Sequence, residues 1–133
     1  KAQFNLGVCY YEGTGCDKDE KKAFDWFKKS AEQGDDEAQF NLGVCYNEGT
    51  GCDKDEKEAF EWYKKSAEQG KAEAQCNLGT FYYNGTGCEL DKKQAFEWLR
   101  KSAVQGYDPA QFYLGICYET GDGCEKAIGK IDG

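Results

Sequence analysis

A chain of 133 residues without a single histidine has lost the commonest general base and the commonest metal ligand together, and its eight cysteines are the chemistry that remains. They stand at positions 9, 16, 45, 52, 76, 88, 117 and 124. Cys9 with Cys16, Cys45 with Cys52 and Cys117 with Cys124 share the spacing C-x6-C. That is neither a C-x2-C zinc pattern nor a redox pattern, and a zinc site without histidine would need several cysteines converging from different parts of the chain. No metal and no cofactor are expected. Two uses are left: small core packers, or disulfides. An even number of cysteines per segment in a small Cys-rich array favours disulfides between the members of the three pairs, and with them an oxidising compartment.

Catalysis has little else to work with. The sequence holds no Ser-His or Cys-His arrangement, no Ser-x-x-Lys and no phosphate-cradling Gly-x-x-x-x-Gly-Lys, so an enzyme is not expected. The recurring Asp-Lys-Asp-Glu runs lack the ligand spacing of a calcium loop and suit solvent and helix N-termini instead. The net charge of -8 argues against a nucleic-acid partner, and no apolar stretch is long enough for membrane insertion. Asn84-Gly85-Thr86 is a glycosylation sequon, although Asn-Gly is also ordinary turn chemistry.

The elements that must position these residues follow a period of 36. Ala2, Ala38, Ala74 and Ala110 are in phase, as are Leu6, Leu42, Leu78 and Leu114, then Gly7, Gly43, Gly79 and Gly115, and Tyr10, Tyr46, Tyr82 and Tyr118. Farther along, Trp26, Trp62 and Trp98 repeat, and so do Gly34, Gly70 and Gly106. Each unit predicts two amphipathic helices. Helix A of the second unit carries the stripe Ala38, Leu42, Cys45 and Tyr46 and stops at Gly49-Thr50-Gly51. Helix B starts at Asp55, an N-cap with Glu58 at the capping-box spacing; Asp91 with Gln94 repeats that box, and Asp19 with Lys22 does not. The stripe of helix B is Ala59, Phe60, Tyr63 and Ala67. Neither helix can bury its stripe alone, so the units must stack. A glycine inside every helix A, which costs about 1 kcal/mol against alanine, implies a helix contact too close for a side chain.

The pattern Ala-Gln-Phe-Asn-Leu-Gly-x-x-Tyr, Gly-Thr-Gly-x-x-x-Asp, Lys-x-Ala-Phe-x-Trp and Ala-x-Gln-Gly resembles the Sel-1-like repeat, a relative of the tetratricopeptide repeat, over residues 2 to about 124. The resemblance implies an all-α solenoid of helix-turn-helix repeats with the A helices on the concave side, and work as a protein-protein scaffold or adaptor. Its units would be 1–34, with helix A truncated, 35–70, 71–106 and a partial 107–133, together a single repeat domain. On that reading Phe4, Asn5, Val8, Phe40, Asn41, Val44, Asn47, Asn77, Thr80 and Tyr83 face the groove and bind a protein or peptide partner. Repeated Asn beside an aromatic suits an extended backbone. The alternative is an extracellular structural protein, its partners copies of itself stacked into fibres. Localisation would be secreted, periplasmic or another oxidising compartment. Two departures stand out. Cys mostly replaces the aliphatic residues that the family usually places after Gly-x-Gly and before the helix A tyrosine. The ends also look uncapped, Lys1 lying inside a helix A and the phase being lost after Cys124, which reads as a piece of a longer array or as subunits docking end to end.

One unit breaks the cysteine pattern. Phe4 and Cys9, Phe40 and Cys45, and Phe112 and Cys117 hold the fourth and ninth places, whereas Cys76 and Phe81 are exchanged. Five helical residues span about 7.5 Å and roughly 140°, so Cys76 and Cys88 are not expected to bond each other.

Overall fold

Asp19, Asp55 and Asp91 lie in extended backbone, and each carboxylate accepts the backbone N–H three residues on, from Lys22, Glu58 and Gln94 at 3.0–3.1 Å. The departure of Lys22 from the capping-box spacing therefore leaves the aspartate cap intact. The computed structural model describes residues 2–124, and the lost phase after Cys124 and the placement of Lys1 lie outside them. Within that range the regular elements are seven helices: α1 Ala2–Glu12, α2 Glu20–Glu32, α3 Asp36–Glu48, α4 Glu56–Glu68, α5 Ala72–Asn84, α6 Lys92–Val104 and α7 Asp108–Thr120. The odd-numbered elements are the A helices and the even-numbered ones the B helices. Each packs on its neighbours in sequence, as expected of a helical-repeat solenoid.

The three full-length A helices that follow the first, α3, α5 and α7, end on glycines in the left-handed region, Gly49, Gly85 and Gly121. Beyond each comes a second glycine that sets the distance between repeats. A Cβ on Gly51 would strike the carbonyl of Glu20, one on Gly87 that of Glu56, and one on Gly123 that of Lys92. Each of these carbonyls belongs to the first residue of the preceding B helix.

Three cores fill the array. Ala23, Phe24, Phe27, Ala38, Leu42, Cys45 and Trp62 form the first; Ala59, Phe60, Tyr63, Ala74, Leu78 and Phe81 the second; Cys76, Phe96, Leu99, Ala110 and Cys117 the third. Aromatic pairs join successive repeats: Phe24 on Tyr46, Phe60 on Tyr82 and Phe96 on Tyr118 meet edge to face at 5.3–5.5 Å. Buried amides do the same in polar form. Gln39 donates to the Ala31 carbonyl and accepts from Gln69, and Gln75 donates to Ala67 and accepts from Gln105. Ser66 and Ser102, fully buried, donate to the carbonyls of Asp36 and Ala72 that open the A helix of their own repeat.

Candidate functional site

Two cavities open between successive A helices. One, of about 200 Å³, lies between the first and second repeats and is lined by Tyr11, Phe27, Phe40, Asn41, Val44, Cys45 and Thr50. The other, of about 180 Å³, lies between the third and fourth and is lined by Thr80, Tyr83, Asn84, Leu99, Tyr113 and Ile116. The two are related by the period: Tyr11 corresponds to Tyr83, Phe27 to Leu99, Asn41 to Tyr113 and Val44 to Ile116. Each thus has an earlier A helix as one wall, a later A helix as the other, and a B-helix side chain as its floor.

Of the residues expected in the groove, Phe40, Asn41 and Val44 meet in the first cavity and Thr80 and Tyr83 in the second. Phe4, Asn5, Val8, Asn47 and Asn77 are not in either lining. Phe4 packs on Phe27 at 5.9 Å, Val8 lies against the first core, Asn5 is exposed and Asn47 half-buried. Asn77 is half-buried and lies by the Tyr63 hydroxyl, whose pKa burial pushes well up. Tyr11, Phe27, Thr50, Leu99, Tyr113 and Ile116 were missed by the sequence reading. Comparing positions 5, 8, 11 and 27 of the period across units would have found most of them.

The middle junction explains the exchange of Cys76 and Phe81. Its floor is Tyr63, 1% exposed, and Phe81 packs edge-on against that ring at 5.3 Å. Moving the ring from the fourth to the ninth place brings it onto Tyr63, where the equivalent floors are Phe27 and Leu99. Cys76 then turns into the third core while Cys88 packs against the second.

A further lock at the last junction was not anticipated. Asp122 accepts from the Tyr83 hydroxyl at 2.5 Å, from Thr120 at 2.8 Å and from Lys92 at 3.3 Å. These bonds, Tyr83 foremost, hold its carboxyl below the usual range. The signal was legible as paired departures from the period. Asp122 replaces Thr14, Thr50 and Thr86, and Lys92 replaces Glu20 and Glu56.

The eight cysteines stand as thiols in this structure. Cys16, Cys52, Cys88 and Cys124 each direct Sγ at the carbonyl of the residue seven back, at 3.4–3.6 Å. Burial pushes the Cys45 thiol up to about 12 and Cys76 to about 11, so neither is a nucleophile at neutral pH. Among the described residues no group of three or more His, Cys, Asp or Glu side chains could hold a metal, and no helix is long and apolar enough to cross a membrane. Asn84 is exposed at the end of α5, on the rim of the second cavity.

A family model described as Sel1 repeat matches residues 1–35, 36–71, 72–107 and 108–130. The fold superposes on a Sel1 repeat protein from Oxalobacter formigenes with a TM-score of 0.90 and 40% identity, over 94% of this chain and 51% of that one. A protective antigen present in uropathogenic Escherichia coli strains, displaying an SLR fold, gives 0.90 and 42% over 94% of this chain and 27% of that one. The chain therefore spans about half and about a quarter of these two relatives. Cysteine rich protein B of Helicobacter pylori shares the fold at a TM-score of 0.72 and 22% identity, over 85% and 91% of the two chains. No curated protein matches.

Proposed function

The chain belongs to the Sel1 repeat family, whose members generally mediate protein-protein interaction without catalysis, and we propose that it is a scaffold whose A-helix face holds an extended segment of a partner protein. The observation that carries this reading is the pair of cavities. Both sit between A helices, both mix apolar walls with a few amide or hydroxyl groups, and both recur at the same place in the period. An apolar side chain of an extended segment fits each, while Asn41, Asn84, Thr50 and Thr80 offer hydrogen bonds to its backbone. Selection from a displayed library of twelve-residue peptides, followed by titration of the best binder, tests it. Asn41→Arg and Thr80→Arg, which fill one cavity each from half-buried wall positions, should each weaken binding at least tenfold with little change in melting temperature. Undiminished binding to the double variant would move the partner to another surface.

The proposal extends to the three C-x6-C pairs as disulfides in an oxidising compartment. In these pairs the turn thiol already rests against the carbonyl of its partner cysteine. Cys45 shares the first core with Cys52, and Cys117 the third with Cys124, whereas Cys76 and Cys88 belong to different cores. Alkylation of the unreduced protein and peptide mapping should recover Cys9–Cys16, Cys45–Cys52 and Cys117–Cys124 cross-links. A Cys76–Cys88 cross-link contradicts the geometry, and labelling of all eight thiols contradicts the compartment.

A further inference from the structure

Successive A helices pack on the B helices between them rather than closely on one another, so the gap between the walls of each cavity is set by whatever side chains span it. At the last junction one carboxylate makes that span. Tyr83, a wall on α5, and Thr120, the last residue of α7, both donate to one oxygen of Asp122 in the turn beyond α7, at 2.5 and 2.8 Å. Lys92, which opens α6, donates to the other oxygen at 3.3 Å and stands 5.0 Å from the centre of the Tyr83 ring. Three helices therefore meet on Asp122, through bonds that its charge strengthens.

The corresponding residues at the first junction are Tyr11, Thr50 and Glu20, and among the described residues no hydrogen bond or ion pair joins their side chains. Asp122 and Lys92 depart from the period together for a physical reason. Lys92 holds the place of Glu20, and without that change an aspartate at the place of Thr50 would meet a like charge. The tie also falls where packing holds a wall least. Among the described residues α7 buries only Ala110 and Cys117, against five residues in α3 and six in α5. Each cavity has a lysine over one of its rings, Lys71 over Phe40 and Lys92 over Tyr83, so the tie rather than a nearby cation distinguishes the two.

Resting on the groove reading above, we propose that Asp122 is a positioning residue that decides selectivity: through Tyr83 it holds the walls of the cavity between the third and fourth repeats at one separation, so that this cavity takes a phenylalanine anchor and excludes a tryptophan. The size follows from a volume of about 180 Å³, since an apolar cavity of about 150 Å³ takes a benzene ring. The larger indole needs the walls to part, which breaks the bond of Tyr83 to Asp122. Rejection thus comes from a cavity that cannot widen without losing bonds, and not from a stronger contact with the right anchor.

The probe is a twelve-residue peptide selected against the groove whose binding Thr80→Arg weakens, made with phenylalanine or with tryptophan at the position whose ring shifts the Ile116 methyl resonances. Calorimetric titration of the full chain should show the phenylalanine form binding about tenfold or more tightly. Asp122→Thr restores the residue of the other units, and Tyr83→Phe removes only the hydroxyl. Each should cut the preference to about threefold or less, by admitting the tryptophan form, and their effects should not add. The Tyr83 phenol, which its bond to Asp122 pushes up, should titrate at lower pH in Asp122→Thr. A parent that binds the two forms alike, or a preference that survives both substitutions, overturns the inference and leaves the groove standing. Equal weakening of the two forms in Asp122→Thr also overturns it, by showing a merely structural role. If no selected peptide is weakened by Thr80→Arg, the inference and the groove reading at this cavity fall together.

Discussion

Gly87→Ala should cost about 2–5 kcal/mol of stability, whereas Gly15→Ala, at the same place in the period, should cost only about 1–2 kcal/mol. Both glycines lie in the left-handed region, with φ of +68° and +79°, where an L-residue pays the same backbone penalty. They differ in what a side chain would meet. At Gly87 the new methyl drives into the Glu56 carbonyl and comes within 3.2 Å of the Lys57 amide nitrogen, backbone atoms of a helix end that cannot swing aside. At Gly15 nothing lies within 4 Å among the described residues. The excess at Gly87 is the overpacking term, expected at about 1–3 kcal/mol, and it should appear as a separation of the second and third repeats. Urea unfolding of the two variants against the parent provides the comparison. Equal losses would mean that the repeats do not approach as closely as Gly51, Gly87 and Gly123 indicate.

Gly43→Leu is expected to lose about 3 kcal/mol or more, even though leucine favours a helix over glycine by nearly 1 kcal/mol. A Cβ at this position would stand 2.7 Å from Cδ1 and 2.8 Å from Cε1 of Tyr63. That ring has no room to yield. Phe40 lies 5.7 Å away on one side and Phe81 5.3 Å away on another. The near-ultraviolet signal of the aromatic core should weaken together with the melting temperature. A loss below about 0.5 kcal/mol, the size of an ordinary surface substitution, would show that Gly43 is not at a close helix contact.

These two glycines mark the boundary between what is written locally and what is not. Gly43 announces itself in the sequence, because a glycine that returns inside every helix A is costly unless a neighbour occupies its missing side chain. The same holds for helix periodicity, aspartate caps and glycine stops, each a relation among residues a few places apart, and the 36-residue period carries that local grammar from unit to unit. Fold class was legible for this reason. The clash of Gly87 with Glu56 joins two repeats, and no spacing rule within one unit shows it.

The groove divides along the same line. The family resemblance pointed to Phe40, Asn41 and Val44, but the opposite wall, Tyr11 with Tyr113 and Ile116, and the floor, Phe27 and Leu99, come from other helices. Asn77 shares the place of Asn41 in the period and even its residue type. Asn41 lines a cavity whose floor is Phe27, whereas Asn77 lines neither cavity and lies by the Tyr63 hydroxyl. The sequence by itself determined the helices, their ends and the compulsory stacking, because each follows from periodicity and short-range contact. Only the tertiary structure decided which side chains face each other across a junction, since packing depends on the combined shape of residues from neighbouring units: Phe81 closes on Tyr63, and Cys76, with which it is exchanged, enters the third core.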